Sequence, residues 1–272
     1  MRIRAGALAV LVLALAGPAS AQAPGELRVC ADPNNLPFSN AREEGFENRI
    51  AELLAAELGL TLRYTWWAQR RGFARNTVRE RRCDVALGVP VGWDPVLTTR
   101  PYYRSTYVFV TRADGPRVRS LDDEVLRTAR VGVHLIGDDY ANVPPAHALA
   151  RRGIVDNVVG FMIYGDYTEP NPPARLIEAV ASGGVDVAIV WGPLAGYFAG
   201  RQPVPLVVTP IAPAEEPPLR FTFGMAMGVR RDDTALRDAL QGALERRRGD
   251  VDAILDRYGV PRVAAPASGA PR

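Results

Sequence analysis

The sequence predicts an α/β fold: a mostly parallel, doubly wound sheet flanked by helices, arranged as two lobes of like construction. Two observations carry this. Short β-rich runs alternate with helical periodicities from Leu27 to Val89, the pattern of linked βαβ units. A helix end, a turn and a strand then recur about a hundred residues later, VRERRCDVALGVP being echoed by AVASGGVDVAIVWG, so that Asp84-Val85-Ala86 matches Asp186-Val187-Ala188. At 272 residues the chain is long enough for two lobes with cores of their own.

Each element follows from its residues. Leu27 to Ala31 reads as a first strand, and the Asp32-Pro33-Asn34-Asn35 stretch turns the chain. Phe46, Ile50, Leu53, Leu54 and Leu58 fall at helical spacing, with Gly59 at the usual stop position. Thr61 to Trp67 alternates as a second strand, a helix is expected over Ala74 to Arg81, and Cys83 to Val89 is the third strand. Tyr107 to Thr111 is a strand suited to cross between lobes, and Arg130 to Leu135 opens the second sheet. Leu206 to Val208 and Phe221 to Val229 lead the chain back. Leu236, Leu240 and Leu244, then Val251, Ile254, Leu255 and Tyr258, mark amphipathic helices near the end.

The N-terminal residues have the form of an export signal. Arg2 and Arg4 precede an apolar run from Ala7 to Ala16, and Ala19-Ser20-Ala21 fits cleavage before Gln22. The expected compartment is the periplasm. Cleavage removes two arginines and no acid, which lowers the formal charge from +3 to +1. The basic pI therefore carries no argument for nucleic acid. No later stretch is long and apolar enough to span a membrane.

Cys30 and Cys83 are the only cysteines. An oxidising compartment favours a bridge. The strand register argues against one, because Cys30 is expected beside Ala86, about 10 Å along a strand from Cys83, and a disulfide needs Cα atoms within about 7 Å. Both alternatives stand at this point. Two cysteines and two distant histidines make no metal-ligand spacing, so neither a metal nor another cofactor is expected. His134 and His147 read as packing or surface residues. No GxSxG, HExxH, Walker or CxxC pattern is present, and no catalytic residue is assigned.

LRVCADPNNLPF, CDVALGVP and the long GMAMGVRRDDTALRDALQGALERRRGDVDAILDRYGV resemble the first, third and closing segments of type II periplasmic solute-binding proteins. More narrowly, RVCADPNNLPFSN, GFENRIAELLAAELG, YTWWAQRRGFARNTV, CDVALGVPVGWDPVLTTRPYYRSTYVFVTR and VGVHLIGDDYANVPPAHALARRGI resemble the quinoprotein dehydrogenase-associated branch of that fold, the J proteins (MoxJ and XoxJ) of methanol dehydrogenase clusters. The resemblance implies two α/β lobes, a two-strand hinge and a cleft between them. The expected division is a signal peptide over 1–21, a first lobe over 22–111 plus 214–263, a second lobe over 112–213, and a disordered tail over 264–272.

Amino-acid receptors of this fold grip the ligand carboxylate with an arginine after the third strand and the amine with an acid in lobe two. Here the arginine position falls at about Pro95, with Arg100 as a substitute if the loop shifts, and the lobe-two stretch is Trp191-Gly192-Pro193. Without those anchors a zwitterion would lose its hydration unreplaced. Aromatics stand in their place: Trp66, Trp67, Phe73, Trp93, Tyr102, Tyr103 and Tyr107 in lobe one, and Phe161, Tyr164, Trp191 and Tyr197 in lobe two. Trp93, Tyr102 and Trp191 follow strand ends, where α/β sheets bind ligands. Asn34, Asn35 and Phe38 belong to the first binding loop. Gln69, Arg70 and Arg71 point toward the cleft mouth, and Arg71, Arg75, Arg79 and Arg82 recur at helical spacing. Asp138 and Asp139, beside Tyr140, suit either a helix cap or a cation.

Three functions are weighed. The first is a non-enzymatic periplasmic accessory protein, holding a PQQ-dependent alcohol dehydrogenase or its c-type cytochrome through the aromatic cleft. The second is an importer's receptor for an apolar or aromatic small molecule. The third is an enzyme on the same scaffold.

Overall fold

The computed structural model describes residues 25–135, 142–162 and 167–264. The expected signal peptide, nearly all of the expected tail, and Asp138, Asp139, Tyr140 and Tyr164 lie outside the described residues.

Strand β1 (Glu26–Ala31), helix α1 (Phe46–Glu57), strand β2 (Thr61–Trp66), the single turn α2 (Phe73–Asn76) and strand β3 (Val85–Pro90) make the first unit. Strand β4 (Tyr103–Arg112) leads out of it. Strand β5 (Val131–Leu135), helix α3 (Pro144–Arg151), strand β6 (Val158–Met162), helix α4 (Arg175–Ala181) and strand β7 (Val187–Trp191) repeat the scheme. Helix α5 (Gly192–Ala199), strand β8 (Leu206–Pro210) and strand β9 (Thr222–Val229) return the chain, and helices α6 (Thr234–Arg246) and α7 (Arg248–Arg257) pack against α1. Phe46, Ile50 and Leu54 form the buried stripe of α1, and Gly59, at φ +66°, takes the left-handed turn after its end.

The strands form one ten-stranded sheet in the order β2-β1-β3-β9-β4-β7-β5-β6, with β8 on β4 and the short Leu97–Thr98 strand on β9. β2, β1 and β3 run parallel, as do β7, β5 and β6. The two halves meet on β4. Its first residues, Tyr103 to Thr106, pair with β9, and Tyr107 to Thr111 pair with β7. The expected crossing strand therefore starts four residues earlier than its alternation indicates.

The repeated Asp-Val-Ala has one structural role in both halves. Asp84, just before β3, accepts the Arg28 backbone N–H at 3.1 Å and two guanidinium bonds at 3.0 and 2.6 Å. Asp186, just before β7, accepts the Arg130 N–H at 2.8 Å and two guanidinium bonds at 3.1 and 2.7 Å. Each clamp pins the first strand of its half to the neighbouring strand.

One local expectation is corrected and one open alternative is decided. The helix over Ala74 to Arg81 is only the turn α2. It ends at Thr77, whose hydroxyl donates to the Phe73 carbonyl at 2.6 Å. The chain then bends so that Val78 and Cys83 become fully buried beside Phe73 and Cys30. That bend also resolves the cysteines. Cys30 does pair with Ala86, yet its Cα lies 5.6 Å from that of Cys83, and the two form a disulfide. The 10 Å argument assumed an extended chain back to Cys83, but Cys83 precedes the strand.

Candidate functional site

The carboxyl ends of β3, β5 and β7 open onto a cleft of about 600 Å³. Six aromatic rings line its walls. Phe38 comes from the first loop, Phe73 from α2, Trp93 from the loop after β3, Tyr107 from β4, Trp191 from β7 and Phe223 from β9. Trp191 stands edge-on between Tyr107 and Phe223, at centroid separations of 5.3 and 5.9 Å. These three rings lie where the two halves of the sheet join, so the cleft's back wall is part of the junction itself.

The floor is polar and buried. Glu47, in the first turn of α1, is only 7% exposed, and its carboxyl lies over Gly88. A side chain at position 88 would collide with the Glu47 carboxyl and would also be strained at φ +63°. Burial lifts the Glu47 carboxyl to about 8, although a helix N-terminus favours the ionised form. His134, at the end of β5, is 3% exposed, and burial lowers its imidazole to about 3. At neutral pH both are largely uncharged. Asn35 completes the floor and donates to Gln69 Oε1 at 2.9 Å.

The mouth is basic. Arg70, Arg71, Arg75 and Arg79 line it, and Glu47 is the sole acid among the described lining residues. Arg75 and Arg79 make no ion pair with any described residue.

Of the residues singled out in the sequence, the structure brings Asn35, Phe38, Gln69, Arg70, Arg71, Phe73, Trp93 and Trp191 to the cleft. Others lie elsewhere. Asn34 reaches across to the second half, donating to the Glu169 carbonyl at 2.9 Å and accepting from the Asn171 N–H at 3.3 Å. Trp67 packs beside the disulfide cluster with Arg82 over its ring at 5.3 Å. Tyr102 and Tyr103 are buried beneath the floor, the Tyr102 hydroxyl accepting from the Gly88 N–H at 3.1 Å. Arg100 faces the opposite side, where its N–H donates to Gln241 and its guanidinium pairs with Glu245. It does not line the cleft, whereas Pro95 does. Glu47 and His134 were not anticipated. The available signal was a glycine, Gly88, inside β3, where a neighbour must approach closely.

The model of bacterial extracellular solute-binding proteins, family 3, matches residues 27–261. Protein MoxJ of Paracoccus denitrificans is 34% identical over 92% of this chain and 93% of its own length. The crystal structure of periplasmic binding protein XoxJ from Methylobacterium extorquens AM1 is 36% identical, with a TM-score of 0.71 over 88% of this chain and 100% of its own. That of MxaJ from Methlophaga aminisulfidivorans MPT is 27% identical, with a TM-score of 0.75 over 87% of this chain and 100% of its own. The chain thus belongs to family 3 of the bacterial extracellular solute-binding proteins, and within it to the MoxJ/XoxJ branch of the type II periplasmic binding fold.

Proposed function

We propose that this protein is a non-catalytic periplasmic accessory factor of a PQQ-dependent methanol or alcohol dehydrogenase system. It binds the dehydrogenase, or the dehydrogenase's c-type cytochrome, through the cleft between its lobes, and binding serves activation or maturation of the enzyme. The observation that carries this reading is the cleft's lining. The resemblance puts the arginine of an amino-acid receptor at about Pro95 and its acid in Trp191-Gly192-Pro193, and neither stretch supplies that charge at the cleft. Rings and arginines line it instead, Arg75 and Arg79 without ion pairs among the described residues, the composition of a protein-recognition hot spot. The branch supports the same reading, since its relatives carry the names MoxJ, MxaJ and XoxJ.

The lobes divide on this reading at β4 and at the returning segment before β9, close to residues 111 and 214. The test uses purified components. The mature chain, immobilised, is titrated with the purified dehydrogenase and separately with the cytochrome. Binding that weakens at least about tenfold in Trp93→Ala or Arg79→Gln supports the reading. Absence of binding to both proteins defeats it.

The cleft volume favours a second reading, an importer's receptor for an apolar or aromatic solute. About 600 Å³ lies within the usual range for small-ligand sites. Retention of a small molecule by the purified protein, with no affinity for the dehydrogenase or cytochrome, would select it.

A further inference from the structure

Three residues that line the cleft each carry a buried polar atom with no hydrogen-bond partner among the described residues: Asn35 Oδ1, Glu47 Oε1 and His134 Nε2. Buried polar atoms nearly always find partners, and leaving one unmade is costly. Three such residues around one cleft point to a floor that a bound group would complete.

The chemistry of the floor selects what enters. Asn35 uses its amide N–H on Gln69, which leaves its carbonyl oxygen as an acceptor. Glu47 is mostly protonated at neutral pH, and His134 is neutral. No ionised acid among the described lining residues is available to hold an ammonium group. The floor therefore suits an uncharged group that both donates and accepts, such as an amide. The rings above it suit a flat apolar body. At the mouth Arg75 and Arg79, without ion pairs among the described residues, suit a carboxylate.

We propose that the cleft takes an anionic aromatic group whose other polar function is an uncharged amide, the chemistry of an acidic, aromatic stretch within a polypeptide, and that it discriminates against free zwitterionic amino acids. This rests on the reading that the cleft is the protein's recognition site.

The test is calorimetric titration of the mature chain with N-acetyl-tryptophan, N-acetyl-tryptophanamide and free tryptophan. N-acetyl-tryptophan is expected to bind about tenfold or more tightly than the other two, because only it meets both the arginines and the uncharged floor. Replacing both Arg75 and Arg79 by glutamine should lower N-acetyl-tryptophan to the level of the amide. Glu47→Leu should weaken both acetylated probes, and Glu47→Gln, which keeps an uncharged hydrogen-bonding group, should restore most of that loss. Thermal melts establish that each variant is folded. Equal or tighter binding of free tryptophan overturns the proposal, and so does failure of all three probes. If the probes fail while the dehydrogenase or cytochrome still binds, the cleft chemistry is wrong and the accessory role stands. If the probes bind as expected and both proteins do not, the chemistry stands and the accessory role falls.

Discussion

Glu47 is a residue on which two electrostatic effects compete. The α1 N-terminus favours its charge by roughly 0.3–1 kcal/mol. Burial disfavours the charge more strongly, and the carboxyl is lifted from 4.5 to about 8. Between those values the folded chain keeps a proton that the unfolded chain has lost. The contribution of Glu47 to stability is therefore full below pH 4.5 and declines as pH rises toward 8. His134 acts in the opposite sense. Its folded value of about 3 lies below the ordinary 6.5, so its contribution is present above 6.5 and lost on acidification toward 3. The two slopes oppose each other between 4.5 and 6.5, and above 6.5 only that of Glu47 remains. Glu47→Gln should flatten the decline in melting temperature between about pH 6.5 and 8 relative to the parent protein. An unchanged difference across that range would refute this account. Neither residue was legible as part of the site. Periodicity assigns Phe46 and Ile50 to the core but says nothing of the Glu47 between them, whose carboxyl packs over Gly88 of β3.

The two arginine–aspartate clamps act on elements. Both are bidentate and both fix a first strand to its neighbour. They differ in exposure: the Asp84 side chain is 14% exposed and that of Asp186 36%. Solvent screens the second more, so the substitutions should differ in cost. Asp84→Ala should destabilise by about 2–3 kcal/mol, because it also strips the partly buried Arg230 of a partner. Asp186→Ala should cost about 1 kcal/mol or less. Denaturant unfolding of both variants checks the order, and equal costs would mean that burial does not set it. At this scale the order of strands and helices was readable, since alternation and helical spacing report which face of each element is buried. Helix α2 was not. The spacing of Arg71, Arg75 and Arg79 continued a helical pattern that the burial of Val78 and Cys83 interrupts.

Across the whole molecule, the halves are linked by more than the strands. Asn34 ties the loop after β1 to the backbone at Glu169 and Asn171, beside the cleft. Asn34→Ala should favour a more open arrangement, seen as a larger radius of gyration in solution scattering. An identical scattering profile would show that this contact does not hold the lobes together.

The sequence by itself determined the α/β class and the two-half plan, and its motifs carried the resemblance to the family branch. The first two are written in local order, as strand–helix alternation and one repeated Asp-Val-Ala. The tertiary structure decided which rings face the cleft, that Tyr102 and Tyr103 lie under its floor, that Cys30 and Cys83 meet, and that Glu47 and His134 are buried beside it. Periodicity tells that a side chain turns inward. What it meets there is set by strands distant in sequence, and so is whether a carboxyl keeps its charge.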